Sequence, residues 1–414
     1  MAEKHHDWQD GAVLEPHSAR KHKVLREYLG EYLRVRCVMP QQSHFRLALV
    51  DGFAGAGRYA GGELGSPLII LETLLQTVRE INLRRAADGM KTVDVDCLFI
   101  VNDFDPGAIA LLQERMAPYL AAIQDENCGL NVRPVVFSDR FETIYPDIKD
   151  RLSAERFDAN VLFNLDQYGQ SHVSTNTLVD LMRSYRSAEI LYTFSIQTFI
   201  SFLPKADRAA IERAMAVFDV PSAALDDLDR IIGRNEWLGA AERIVFDAFK
   251  RCAPYVSPFS IKNPEGWRYW MMHFANSYRA RQVYNDILHQ NASAQAHFGR
   301  SGLQMLAFDP RDEGSLYLFG DQDRRAAGEQ LFDDVPRSVA AYGDAIEMGE
   351  FYREIYNETP AHSSDIHQAM IDNPDIAVFT PDGGERRKPH TIRTGDMLTL
   401  RPQRSFHDFL KPRS

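Results

Sequence analysis

The chain has no apolar run approaching the roughly 20 residues needed to cross a bilayer, so no membrane-embedded segment is expected. Its beginning, MAEKHHDWQDG, lacks an apolar core and is not expected to act as a signal peptide. Cysteine is scarce. Cys37, Cys97, Cys128 and Cys252 show neither pairing nor metal-ligand spacing, which fits reduced thiols and a cytoplasmic location. The 13 histidines find no cysteine partners at ligand spacing, and no metal site is expected. Gly-Lys-Ser/Thr is missing, which argues against a phosphate-gripping P-loop. There is no internal repeat and no low-complexity tract. Basic residues are outnumbered: 47 Lys and Arg against 58 Asp and Glu leave a net charge of −11, which argues against a generally basic nucleic-acid coat.

What is present is the composition of an ordinary globular protein, 44% hydrophobic and 25% charged over 414 residues, enough for two or three domains. A first helix is expected from Ser18 to Arg36. Val24, Leu25, Tyr28, Leu29, Tyr32 and Leu33 recur on one face, with Arg20, Lys21, Lys23, Arg26, Arg34 and Arg36 around it. Strands and helices then alternate: RLALVDGF, the helix PLIILETLLQTVREINL with Ser66 as N-cap, VDCLFIVNDFD, the helix GAIALLQERMAPYL, VRPVVFSD, FDANVLFNLDQYG, the helix NTLVDLMRSYRSA and EILYTFSIQ. Continuous apolar strands separated by helices imply an α/β, doubly wound, mostly parallel sheet covered on both faces. The expected division is an N-terminal helical segment over 1–45, an α/β domain over 46–300 with a helical insertion at about 205–252, a polar connecting segment over 301–354, and a last domain over 355–414. WRYWMMHFAN and LQMLAF are the expected final strand pair of the sheet, and SLYLF reads as a further strand.

The strongest chemical signal is LALVDGFAGAGRY. An acidic strand end, Asp51, leads into Gly52, Phe53, Ala54, Gly55 and Gly57, whose backbone can turn sharply and approach a ligand outside the carboxyl end of the first strand. A carboxylate there favours a cationic sulfonium or an amino group over a pyrophosphate, so S-adenosylmethionine is the expected cofactor. In VNDFDP, Asp103 is the first candidate for the two ribose hydroxyls and Asp105 the second, with helix capping as the alternative for Asp105. In FSDR, Asp139 is a candidate for the adenine amino group. In FNLDQYG, Asp166, Gln167 and Tyr168 occupy the position that base-amino methyltransferases fill with Asp/Asn-Pro-Pro-aromatic. Asp166 would accept a hydrogen bond from the amino group and Tyr168 would stack on an extruded base. Gln167 stands where a proline is expected. His273 sits on an apolar strand and reads as a core histidine.

Lys21-His22 with LREYLGEYL, then VDGFAGAGRYAGGELGSPLIILE, then LDQYG, resemble the three-Cys-motif partner protein family. Its members are methyltransferase-like bacterial and phage-associated proteins that recur beside a protein bearing a three-cysteine, radical-enzyme-like motif. FAGAGRY and GSPLI also resemble large-subunit ribosomal RNA adenine methyltransferases. The resemblance implies a class I methyltransferase (Rossmann-like) fold, S-adenosylmethionine as cofactor, and a C-terminal winged-helix-like domain. That last piece holds the helix SSDIHQAMIDN, with Ser363 or Ser364 as N-cap, and two strands around a PDGG turn, with Arg386, Arg387, Lys388 and Arg393 as a basic wing for RNA or DNA backbone. From Gly383 onward there are eight Lys and Arg against three Asp and Glu. Two functions are therefore expected to compete. One is methyl transfer to an amino nitrogen of a nucleic-acid base. The other is a non-catalytic cofactor- or nucleic-acid-binding role beside the three-cysteine protein. A nuclease-like phage-defence role is a third reading, for which no carboxylate–lysine cluster is visible.

Overall fold

A computed structural model describes residues 12–167, 173–201, 203–204, 207–226, 228, 231, 233–262, 268–290, 295–298, 303, 316–317 and 321–402. The chain divides into two compact units. One comprises residues 1–287 with 294–296, and the other comprises 288–293 with 297–414.

In the first unit, α1 (Pro16–Arg36) precedes β1 (His44–Asp51), α2 (Ser66–Ala87), β2 (Asp94–Asn102), α3 (Pro106–Glu126), β3 (Leu130–Phe137), α4 (Phe141–Ala154), β4 (Asn160–Leu165), α5 (Thr175–Ser184) and β5 (Ser187–Phe194). Then come α6 (Ile196–Ser201), α7 (Arg208–Met215), α8 (Arg234–Lys250), β6 (Tyr255–Lys262) and β7 (Arg268–Ala275). The seven strands run in the order β3-β2-β1-β4-β5-β7-β6. The first five are parallel, and β7 runs antiparallel to both of its neighbours, β5 and β6. Helices flank this sheet, which is Rossmann-like. Its order reverses between β1 and β4, the crevice where open α/β sheets receive ligands. Leu47–Val50 and Cys97–Val101 are buried without interruption, as a sheet covered on both faces requires.

Several expectations need correction. The helix α4 was not expected, because Pro146 interrupts its pattern. Phe141, Ile144, Tyr145, Ile148 and Leu152 nevertheless form one buried face, and β3 and β4 can be parallel only with a crossover between them. The antiparallel pair that follows β5 in the sheet is β7 and β6. YVSPFSIK, with Pro258 inside it, is a strand that the sequence does not announce, while residues 304–308 of LQMLAF lie outside the described residues. β5 ends at Phe194, and Ile196–Ser201 turn into α6. The N-cap of α2 is Gly65, and Ser66 is already helical. His273 is fully buried, its Nε2 2.8 Å from the Tyr28 hydroxyl and its ring stacked on Tyr284.

Helix α9 (Tyr278–Gln290) and the short strands β8 (Gln295–Phe298) and β9 (Leu316–Tyr317) follow. The second unit then holds α10 (Asp321–Ala341), β10 (Ala345–Glu347), α11 (Met348–Ile355), α12 (Ser363–Asp372), β11 (Ile376–Phe379) and β12 (Met397–Leu400). Its three strands form an antiparallel sheet in the order β10-β12-β11. The later part of the connecting segment expected over 301–354, from Asp321 onward, is thus mostly helical. Ala327, Leu331, Val335 and Val339 are buried at one residue per turn, a stripe too thin to stand out among charged neighbours. The N-cap of α12 is His362, whose side chain accepts a hydrogen bond from the Ser364 amide, in place of Ser363 or Ser364.

Candidate functional site

β1 ends at Asp51, and the chain then passes between the ends of its two neighbours. The Gly52 amide donates to the Asn164 carbonyl at 3.0 Å, and the Ala54 amide to the Asn102 carbonyl at 2.8 Å. A Cβ on Gly52 would come within 2.8 Å of both Leu165 and Phe141, so the loop closes only over glycine. Gly55 (φ 58) and Gly57 (φ 79) take left-handed conformations. The Gly55 amide donates to Asp103 Oδ2 at 2.8 Å, while the Asp105 amide donates to Asp103 Oδ1 at 3.0 Å. Arg115 of α3 donates to the Ala56 carbonyl at 2.7 Å, and Phe53 leans on Phe141. Asp105 caps α3 by accepting from the Gly107 amide at 2.8 Å. Asn102 gathers two strand ends: its side-chain amide donates to the Gly52 and Asp139 carbonyls and its oxygen accepts from the Asp139 amide. Asp139 is exposed, and its carboxylate accepts from the Arg140 amide.

Asp51 is fully buried. Asn164 Nδ2 donates to its Oδ1 at 3.2 Å, whereas its Oδ2 is enclosed without a hydrogen-bond partner. Burial pushes the carboxyl up to about 7, against the nearby Ser66 hydroxyl and Asn164 amide, which favour the charged form. A buried carboxylate oxygen with no donor is a costly feature that a bound donor or cation would relieve.

At the end of β4, Asp166 meets α1. Lys21 Nζ lies 2.5 Å from Oδ1 and 2.8 Å from Oδ2. Burial alone would raise the Asp166 pKa, but the Lys21 charge and hydrogen bond, with help from Thr193 and His22, hold it below the usual carboxylate range. His22 is buried, and desolvation lowers its pKa to about 4, so its imidazole is neutral at physiological pH. Lys21, His22, Ser66, Asn164, Asp166 and Thr193 line a small hollow open on one side, walled by Leu25, Leu191 and Met271, with about 10 Å³ for a water-sized group. Gln167 lies beside it but is held by the core: Nε2 donates to the Tyr192 hydroxyl at 2.6 Å, and Oε1 accepts from the Val173 amide at 3.2 Å. Tyr168 lies outside the described residues. Among the described residues no group of three or more His, Cys, Asp or Glu is placed to hold a metal ion, and no helix is long and apolar enough to cross a membrane.

The sequence reading missed Asn102, Asn164, Thr193 and Arg115, and it counted Lys21 among the polar surroundings of α1. Lys21 is 9% exposed. One signal was available. Lys21 sits four residues before Leu25, on the same edge of the helix as the apolar stripe.

In the second unit, Gly383 (φ 85) completes the PDGG turn, and its amide donates to the Thr380 carbonyl at 2.9 Å. Arg386 binds buried Asp396 through two hydrogen bonds of 2.9 and 3.0 Å. Arg387, Lys388 and Arg393 are exposed, although Arg393 also donates to the His390 and Ile392 carbonyls. The helix α12 carries Asp365 and Asp372 and no Lys or Arg. Asp365 is paired with Arg324 at 2.6 Å. No curated protein was found to match the chain. Residues 307–383 match the GMT-like wHTH domain family, a winged helix–turn–helix type consistent with nucleic-acid binding, and the match takes in α10 as well as the helix and turn expected from the sequence.

Proposed function

We propose that the α/β unit is an S-adenosylmethionine-dependent methyltransferase whose substrate is a nucleic acid. The observation that carries this reading is the unpartnered, fully buried Asp51 oxygen at the carboxyl end of the central strand, beside the glycine loop. Asp51 suits the positively charged part of such a molecule. The Gly52–Gly57 backbone would flank it, Asp103 after the end of β2 is the carboxylate for the ribose hydroxyls, and exposed Asp139 suits the adenine amino group. When bound, the cofactor supplies an electrophilic methyl group. The protein's part is to hold the acceptor in line with it and to exclude water. Gln167, standing where a proline is expected, is held to the core by hydrogen bonds with Tyr192 and Val173. Calorimetry is expected to show S-adenosylmethionine binding that Asp51→Ala removes. Undiminished binding in that variant, or preferential binding of ATP or NAD, would sink the assignment.

The winged-helix unit is the proposed nucleic-acid contact, made by the wing and not by the acidic α12. Replacing Arg387, Lys388 and Arg393 with alanine is expected to weaken RNA binding and to flatten its salt dependence by about two units of log–log slope. Arg386→Ala should instead lower the melting temperature of this unit, because it strands Asp396. Salt-independent binding, or equal losses from both sets, would contradict this division. Membership of the three-Cys-motif partner family, and association with its three-cysteine neighbour, belong to the same proposal. Co-purification of the two proteins, lost on removing residues 297–414, is the outcome that supports it, and failure to associate at micromolar concentration would count against it.

A further inference from the structure

We infer that the hollow beside Asp166 receives a ribose 2′-hydroxyl of RNA as the methyl acceptor, and that Lys21 is a catalytic residue donating a hydrogen bond to that oxygen. The inference rests on the methyltransferase reading above and changes the acceptor that the sequence suggested.

The first argument is electrostatic. Both Asp166 oxygens are engaged by Lys21 at 2.5 and 2.8 Å. An amino acceptor would have to share an oxygen that Lys21 already holds, and its nitrogen gains positive charge as the methyl arrives, beside an ammonium. A hydroxyl behaves oppositely. Its oxygen gains negative charge as the proton leaves, and a donor aimed at that charge in a water-poor site stabilises it strongly. Lysine carries three N–H donors, and two of them point at Asp166, so one remains.

The second argument is size. The hollow has room for about 10 Å³, the space of one water-sized group. A base methylated on its amino group must enter a pocket as a whole, taken out of its stack. A sugar hydroxyl needs only its oxygen admitted. The GMT-like wHTH match points to nucleic acid, and RNA alone carries such a hydroxyl at every internal nucleotide. The step balances without another reactant. The ribose oxygen forms its bond to the methyl carbon as the carbon–sulfur bond breaks, and that electron pair stays on sulfur. The hydroxyl proton passes to the neutral imidazole of His22, which lines the same hollow, and then to solvent.

The test uses the full chain with S-adenosylhomocysteine bound. Anisotropy should show an RNA oligonucleotide binding about tenfold more tightly than its 2′-deoxy counterpart, as one charge-assisted hydrogen bond allows. Lys21→Met should erase that preference while calorimetry shows an unchanged cofactor affinity. The double variant Lys21→Met, Asp166→Asn removes both charges, should preserve folding, and should show the same loss. Nucleosides from RNA methylated by the wild type should carry the label on ribose, with kcat about a hundredfold lower in Lys21→Met. Label on a base nitrogen, no label on any RNA, or equal RNA and DNA affinity overturns the inference. Failure of the wild type to bind the cofactor at all would instead bring down the methyltransferase reading.

Discussion

Asp51→Asn is expected to make the protein more stable above about pH 7 while removing cofactor binding. In the unfolded chain this carboxyl ionises near the ordinary value of 3.8, and in the folded protein burial holds it up to about 7. Between those values the folded state keeps a proton that the unfolded state has lost. Stability therefore falls as pH rises through that window. The ionised form, once reached, carries a cost on the order of 4 kcal/mol. Asparagine does not titrate, but its amide would leave a buried donor unsatisfied at the Oδ2 position, which takes back about 1–3 kcal/mol. The net gain should be about 2 kcal/mol at about pH 8, vanish near about pH 5, and turn into a loss of about 2 kcal/mol near about pH 4. Urea unfolding at both pH values measures it. Parallel stability curves for the two proteins would show that Asp51 does not titrate in this window. A residue that weakens the fold and is kept in place fits the stability–function trade-off of binding sites.

The second large effect is expected from Gly57→Val. Gly57 has φ 79, a conformation in which a β-branched residue is strained by about 1–3 kcal/mol. A Cβ there would also come 2.7 Å from Leu112 Cδ1 of α3, adding an overpacking cost of about 1–3 kcal/mol. The combined loss, roughly 3 kcal/mol or more, should lower the melting temperature by several degrees. Leu112→Ala in the same chain should recover only the overpacking part, because the backbone strain stays. The two substitutions are therefore expected to be less than additive. A Gly57→Val protein that melts with the wild type would show that the loop relaxes freely. In that case its conformation would not be what shapes the cofactor site.

The core sheet was legible because buried parallel strands are continuous apolar runs. RLALVDGF and VDCLFIVNDFD could hardly be anything else, and a glycine loop after the first of them points to a ligand crevice. The helix α4 and the strand β6 were not legible, since Pro146 and Pro258 break the local patterns that the surrounding structure tolerates. Helix α10 was hidden for a different reason: its described residues bury one aliphatic side chain per turn among charged neighbours.

Local pattern by itself determined the alternation of elements, the position of Asp51 and the glycines at a strand end, and the turn of the wing. These depend on neighbours a few residues away. What binds what depended on residues far apart in sequence. Lys21 and Asp166 are 145 positions apart, and Asp51 and Asn164 are 113 apart. A charged residue at the edge of an amphipathic helix reads as solvent-facing until the packing of α1 shows it turned inward. Likewise Arg386 reads as a free wing cation until Asp396, ten residues on, is found buried beneath it. Charge can be counted along a chain, but whether it is paired or available is decided only when folding brings its partner within hydrogen-bonding distance.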